Sequence, residues 1–328
     1  MMRKKSIIHS LLIITLVLGM VGMTGCHKKD MDSTAKQQAQ TEDEKEPTIQ
    51  WQGKNWQYNK NISNYLFIGV DTREQSDTRV GRSDAGQADA LFLLSLNRKN
   101  GEVTMISIPR DTMTAVESFD LEGNSLGTST DHISLSYGYG DGGQESCKLT
   151  QKAVENLMYG VPIQGYIALN LDGLPALSKS LGGVTVTVPN NSLASAYPEY
   201  TQGTEVTLDE SNTELFVRSR DVETSQSAIA RLERQKVYIN AFIKKAKERY
   251  AESKTYAAEL YQTLTPYMVT NISQDRLLTL IQSVDQDKDY TEWTIPGEGV
   301  EGESFDEYHV DDDALYEQII HTFYKEVK

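Results

Sequence analysis

The sequence predicts an α/β protein, and two stretches carry that reading. Residues 65–70, 90–96 and 103–108 are short runs of large and β-branched apolar side chains bounded by turn residues, as buried strands are. Arg98-Lys99-Asn100-Gly101 joins the last two as a hairpin turn. Further on, a strand (Gly165–Leu169), a helix over 173–181 and a β-branched strand over 184–188 follow at the spacing of a right-handed βαβ crossover.

The chain of 328 residues opens with a segment that is not part of the fold. Arg3, Lys4 and Lys5 precede a mostly apolar run, and Met23-Thr24-Gly25-Cys26 closes it. This resembles a bacterial lipoprotein signal in which Cys26 is lipidated; an uncleaved signal anchor is the alternative. Either way the basic end stays in the cytoplasm and the body is exported. Residues 27–51 are polar and charged, a disordered tether. The expected organisation is a signal or anchor at 1–26, a tether at 27–55, a catalytic domain at 56–250 and a C-terminal helical extension of it at 251–328.

Apart from Cys26 the only cysteine is Cys147, so the mature chain has no intrachain disulfide and depends on an ordinary core. The formal net charge of −15 argues against non-specific nucleic-acid binding. Five histidines in the whole chain are too few for a zinc site.

The remaining elements follow in order. Residues 113–129 read as loop, and the glycines of 131–143 allow mobility or close backbone approach. Apolar positions 149, 153, 154, 157 and 158 make a helical stripe ended by Gly160 and Pro162. Residues 190–207 are a polar excursion, and Asp209 is expected to cap a short helix that runs into Arg218-Ser219-Arg220-Asp221. A long helix over 229–250 follows, then helices over 256–263 and 275–284, the second capped by Ser273. A strand over 290–295 precedes a last helix begun by Asp311, Asp312 and Asp313, acids that suit the positive end of a helix dipole.

Charged residues sit at the ends of the three apolar runs. Asp71 and Arg73 follow the first, Asp89 precedes the second, and Arg110 and Asp111 follow the third. Rigid strands commonly present functional groups at such ends. Two carboxylates and two arginines there suit a divalent metal and a phosphate. Arg231 and Arg234 near the start of the long helix oppose its dipole, a local cost that a bound anion would offset.

Five ordered motifs extend this reading: GVDTR, QADALFLLSL, VTMISIPRDT, LGGVTVTVP, and LFVRSRD with ARLERQ. They resemble the LytR–CpsA–Psr family of bacterial cell-envelope phosphotransferases. The resemblance implies a three-layer α/β/α sandwich with a mixed central sheet. It implies transfer of a glycan phosphate, such as teichoic acid or capsular polysaccharide, from a polyprenyl-pyrophosphate carrier to peptidoglycan on the outer face of the membrane. Asp71 and Asp89 would hold Mg²⁺ and, with Arg110, be catalytic. Arg73, Arg110, Arg218, Arg220, Arg231 and Gln235 would contact the pyrophosphate, and an apolar cavity would take the polyprenyl chain. The alternative function is a polyprenyl-pyrophosphate-binding scaffold or weak pyrophosphatase. Two departures stand out. Gln87 occupies the position of a frequent family arginine, which Arg82 would replace by folding back, and Ser134-Leu135-Ser136-Tyr137 replaces a His-Ala segment.

Overall fold

The computed structural model describes residues 48–74, 78–285 and 288–328. The expected signal segment, Cys26 and most of the tether lie outside the described residues. In chain order, β1 (Thr48–Trp51) and β2 (Lys54–Tyr58) form a hairpin, and β3 (Ile62–Val70), β4 (Ala88–Asn97) and β5 (Glu102–Ile108) form an antiparallel meander. A second hairpin, β6 (Met113–Phe119) and β7 (Ser125–His132), leads to α1 (Leu135–Gly138), α2 (Gln144–Leu157) and β8 (Gly165–Leu169). Then come α3 (Gly173–Ser180), β9 (Val184–Thr187), β10 (Glu205–Leu208), α4 (Thr213–Arg218), α5 (Ser227–Glu252) and α6 (Tyr256–Leu264). The chain ends with β11 (Met268–Thr270), α7 (Gln274–Ser283), β12 (Thr291–Thr294), a hairpin of β13 (Gly297–Glu301) and β14 (Asp306–Val310), α8 (Asp312–Phe323) and β15 (Tyr324–Val327).

The central sheet has the order β11-β8-β3-β4-β5-β12. β3 with β8 and β5 with β12 are parallel; the other neighbours are antiparallel, so the sheet is mixed as expected. Alternation along β3 sorts its side chains onto two faces. Leu66, Ile68 and Val70 join the main core with Val154 and Leu157 of α2 and Leu315, Ile319 and Phe323 of α8. Phe67, together with Phe92 and Met105, faces Leu232, Ile239 and Ile243 of α5. Helices on both faces make the three layers. The turn between β4 and β5 closes on the Asn97 carbonyl, which accepts from the Gly101 N–H at 2.8 Å, with Gly101 at φ +72°.

Four expectations are corrected. β9 does not enter the central sheet: it pairs antiparallel with β10, so residues 165–188 are no βαβ crossover. Its side chains alternate buried and exposed, whereas a parallel central strand is buried on both faces. Residues 113–129 form most of a hairpin whose second strand is largely exposed; its polar side chains hide a strand that needs no core. The tether ends earlier than residue 55, because β1 and β2 already pair, β2 with β15 as well. The segment from 251 is more than helical: it supplies β11 and β12, both edges of the central sheet.

Candidate active site

β3 runs towards Asp71 and β4 runs away from Asp89, so their antiparallel pairing brings the two carboxylates to one end of the sheet. The register skips at that end: Gly69 faces Ala90 but Val70 faces Ala88, which leaves Asp89 as the bulged residue. Bulges re-aim side chains beside active sites. Here Asp89 and Ala90 line one cavity on the same side of the sheet. β5 ends two residues before Arg110, whose carbonyl accepts from the Ser134 N–H at 3.1 Å; the Ser134 carbonyl in turn accepts from the Ala88 N–H at 3.0 Å. The 134–140 segment therefore braces the Asp89 and Arg110 strand ends. Its glycines serve close approach: a Cβ on Gly138 would stand 2.8 Å from the Gly86 carbonyl oxygen.

A continuous polar network follows. The Asp71 carboxylate accepts from the Gln87 N–H at 2.7 Å, and the Gln87 side-chain oxygen accepts from Arg110. Arg110 also donates to Asp89 and, through Nε, to Asp111 at 3.0 Å. The second Asp89 oxygen accepts from Arg231 Nη1 at 2.9 Å. Arg231 is 4% exposed, and its Nε is buried without a partner. Burial holds its guanidinium below the ordinary arginine value; Asp89 opposes that shift, while the charges of Arg110 and Arg220 add to it. Three guanidiniums thus share one neighbourhood. Arg220 donates to Ser227 Oγ at 3.2 Å, at the first residue of α5.

Arg73 and Arg218 form a second, more open group. Arg73 donates to Asp172 at 3.1 Å and Glu214 at 2.7 Å, and Arg218 lies 3.7 Å from the same Glu214 carboxylate. Carboxylates hold these arginines in the fold: Asp89 and Asp111 pair with Arg110, and Asp172 and Glu214 pair with Arg73. Gln235 lines the cavity, and its amide donates to the Val217 carbonyl at 3.2 Å. Arg82 and Asp84 are exposed, Asp84 accepting from Thr78, so Gln87 and not Arg82 stands beside Arg110.

Sequence reasoning missed two contributors, and it gave a third, Arg234, only as a charge opposing the helix dipole. Gln87 was read as a gap in a pattern and is the link between Asp71 and Arg110. Glu214 reads as an ordinary acid in the first turn of α4. Arg234 is fully buried, donating to the Ser219 carbonyl and, at 2.5 Å, to Ser192 Oγ. Burial pushes it down to about 10, with Arg231 adding to the shift. It clamps the backbone between Arg218 and Arg220. The i, i+3 spacing from Arg231 in ARLERQ was the available signal.

From this charged end an apolar cavity of about 530 Å³ runs between the sheet and helices α5, α6 and α7. Asp89, Arg218 and Gln235 line one end, and Phe67, Phe92 and Phe242 its length. Among the described residues no group of three or more His, Cys, Asp and Glu is placed to hold a metal, and no helix is long and apolar enough to cross a membrane.

The LytR_cpsA_psr family model matches residues 24–322. The polyisoprenyl-teichoic acid–peptidoglycan teichoic acid transferase TagU of Halalkalibacterium halodurans is 33% identical over 182 residues, 55% of this chain and 52% of that protein. The TagU of Oceanobacillus iheyensis is 31% identical over 225 residues, 68% of this chain and 62% of that protein. The chain thus spans 52% to 62% of the length of these curated relatives. Among solved structures, Bacillus subtilis TagV superposes with a TM-score of 0.59 at 24% identity, covering 80% of this chain and 96% of that one. The Lin1025 protein of Listeria innocua gives 0.52 at 25% identity with the same coverages. These likenesses bear on the fold.

Proposed function

Because this chain belongs to the LytR_cpsA_psr family, we propose that it transfers a glycan phosphate from a polyprenyl-pyrophosphate carrier to peptidoglycan on the outer face of the membrane. One observation carries the reading: a long apolar cavity ends at a network of arginines and carboxylates. A polyprenyl diphosphate has those two parts in that order. The glycan, whether teichoic acid, capsular or another wall polymer, lies beyond the charged end.

The acceptor hydroxyl attacks the sugar-side phosphorus. The bond from that phosphorus to the bridging oxygen breaks, polyprenyl phosphate leaves, and the hydroxyl proton passes to the leaving phosphate or to solvent. Such a transfer needs positioning and stabilisation of negative charge more than covalent chemistry. Arg110, Arg220 and Arg231 bind the diphosphate oxygens, and the buried position of Arg231 strengthens its pull by excluding water. Asp89 now occupies two of those guanidiniums. Exchange of Asp89 for phosphate oxygens releases its carboxylate.

Asp71 and Asp89 fit a magnesium ion, which is commonly held by one or two carboxylates and completed by phosphate and water. Asp71 commits one oxygen to the Gln87 N–H, and the two acids stand at neighbouring strand ends. When bound, the ion would neutralise charge on the diphosphate. Membrane attachment, by a lipid on Cys26 or by an uncleaved anchor segment before it, completes the reading; Cys26→Ala releases the protein or leaves an unprocessed precursor if the lipid is the anchor.

The test is reconstitution. Purified protein is incubated with a farnesyl-diphosphate-linked glycan, Mg²⁺ and peptidoglycan, and covalently attached glycan is measured. Transfer by the wild type and its loss in Arg110→Ala support the reading. Release of farnesyl phosphate with no attached glycan would make the protein a hydrolase instead.

A further inference from the structure

The cavity has a second end, and the fold places it far from the charged site. Asp89 lies at the start of β4, while Leu96 and Gly101 line the cavity at the other end of that strand. α5 spans the same distance: Arg231 donates to Asp89, and Lys247 donates to the Lys288 carbonyl at 2.8 Å. Lys288 pairs with Glu102 at the start of β5. The helix rise from Arg231 to Lys247 is about 24 Å. The passage therefore runs the length of the sheet, from strand ends that hold an anion site to the turn at 97–101.

Three further observations converge on that turn. α7 presents Leu277, Leu280 and Ile281 to the cavity as one of its walls, and none of its residues is buried. The described chain also begins at this end: Thr48 pairs with Gln57 in β2, and β2 finishes four residues before β3 starts. Residues preceding Thr48, where membrane attachment is expected, therefore join the body there. Finally, Lys60, Arg98 and Lys99 meet at this corner of a chain with net charge −15. Arg98 donates to the Lys60 and Asn61 carbonyls at 2.6 and 3.3 Å, which ties the two basic segments together.

We infer that the sheet end around residues 97–101 faces an anionic lipid bilayer, and that the distal part of a long polyprenyl chain leaves the cavity there. This rests on the polyprenyl reading of the cavity. It adds an orientation: the tail enters from the membrane side, and the diphosphate is held about 24 Å further out, towards the wall. Lysines and arginines near an anionic leaflet favour that contact, and the attraction fades with salt.

The orientation is read by fluorescence quenching on the full-length protein in vesicles of phosphatidylglycerol and phosphatidylcholine carrying a nitroxide headgroup. A fluorophore is attached at Lys99→Cys or, at the opposite end, Asp84→Cys; both positions are exposed. Cys147 is buried and does not label, and the wild type supplies the background for Cys26. The Lys99 probe is expected to be quenched several-fold more strongly than the Asp84 probe. Equal or reversed quenching overturns the inference. As a second measurement, Lys99→Glu should lower kcat/KM about fivefold for an undecaprenyl-linked glycan in phosphatidylglycerol vesicles at low salt. Turnover of the soluble farnesyl-linked glycan should not change. Equal effects on both substrates, or none on either, count against the orientation while leaving the transfer reading intact; absence of transfer in the wild type counts against the function, and the quenching result still decides the orientation.

Discussion

Asp89 and Asp84 are five residues apart, and their surroundings separate their roles. Asp89 is the counter-charge of Arg231, a guanidinium 4% exposed with an unpartnered Nε. Removing one partner of a buried pair leaves an uncompensated charge and costs on the order of 3–5 kcal/mol. Asp89→Ala should therefore lower unfolding free energy by about 3 kcal/mol as well as abolish transfer. Asp84→Ala, at an exposed position, should stay within about 0.5 kcal/mol of wild type in the same urea titration and keep most activity. Cys147 gives a second residue-scale test. Burial, with Asp141 adding to it, pushes its thiol from 9.0 up to about 12. The folded state thus keeps its proton after the unfolded state has lost it. The resulting stability is present in full below pH 9 and is lost as pH rises towards 12. At pH 8 the native thiol should resist alkylation that it accepts in denaturant, which mass spectrometry reads directly.

At the scale of elements, the site depends on loops folded tightly against strand ends. Gly86 has φ +92°, and a Cβ there would stand 2.5 Å from Thr72 Cγ2 and 2.9 Å from an Asp71 carboxylate oxygen. Gly86→Ala should cost about 1–3 kcal/mol and displace Asp71. The expected result is a lowered melting temperature together with reduced activity at saturating substrate. Gly127→Ala is the control: its φ is also positive, +88°, but nothing lies within 4 Å of the added methyl, so activity should be kept. β9 shows how an element can be read correctly and placed wrongly. VTVT has strand composition, but its alternating burial belongs to a two-stranded sheet over the cluster of Tyr238 and Phe216, not to the central sheet.

Across the whole molecule, the proposed function assigns the cavity to the lipid chain and the adjoining polar network to the diphosphate of one substrate. A farnesyl diphosphate with Mg²⁺ at one hundred times its dissociation constant should stabilise the fold by about 2.7 kcal/mol, seen as a rise in melting temperature. Backbone amides of α7, which has no buried residue, should gain hydrogen-exchange protection on binding, while β4 changes little. Arg110→Ala should remove most of the thermal gain, because one charge-assisted contact at a desolvated site is worth on the order of 2–3 kcal/mol. Its effect on the apo protein should be smaller than that of Asp89→Ala, since Asp89 keeps Arg231.

The sequence by itself determined the apolar strands of the meander, the long helix, the last helix and the charged residues at the strand ends, because periodicity, turn residues and helix starts are local signals. Asp311 does cap α8, accepting from the Ala314 N–H at 3.0 Å, and Ser273 caps α7. The motifs also single out Asp71, Asp89, Arg110 and Arg231. Tertiary structure alone decided which partner each of them meets. Asp89 and Arg231 are 142 residues apart, and Arg73 and Glu214 are 141 apart; nothing local couples such positions. The same holds for the sheet edges: β11 and β12 are short strands of three and four residues, legible as edges only once β8 and β5 are there to pair with them. Hydrogen-bonding edges and desolvated charges take their energy from what lies opposite, and that is settled when the chain closes on itself.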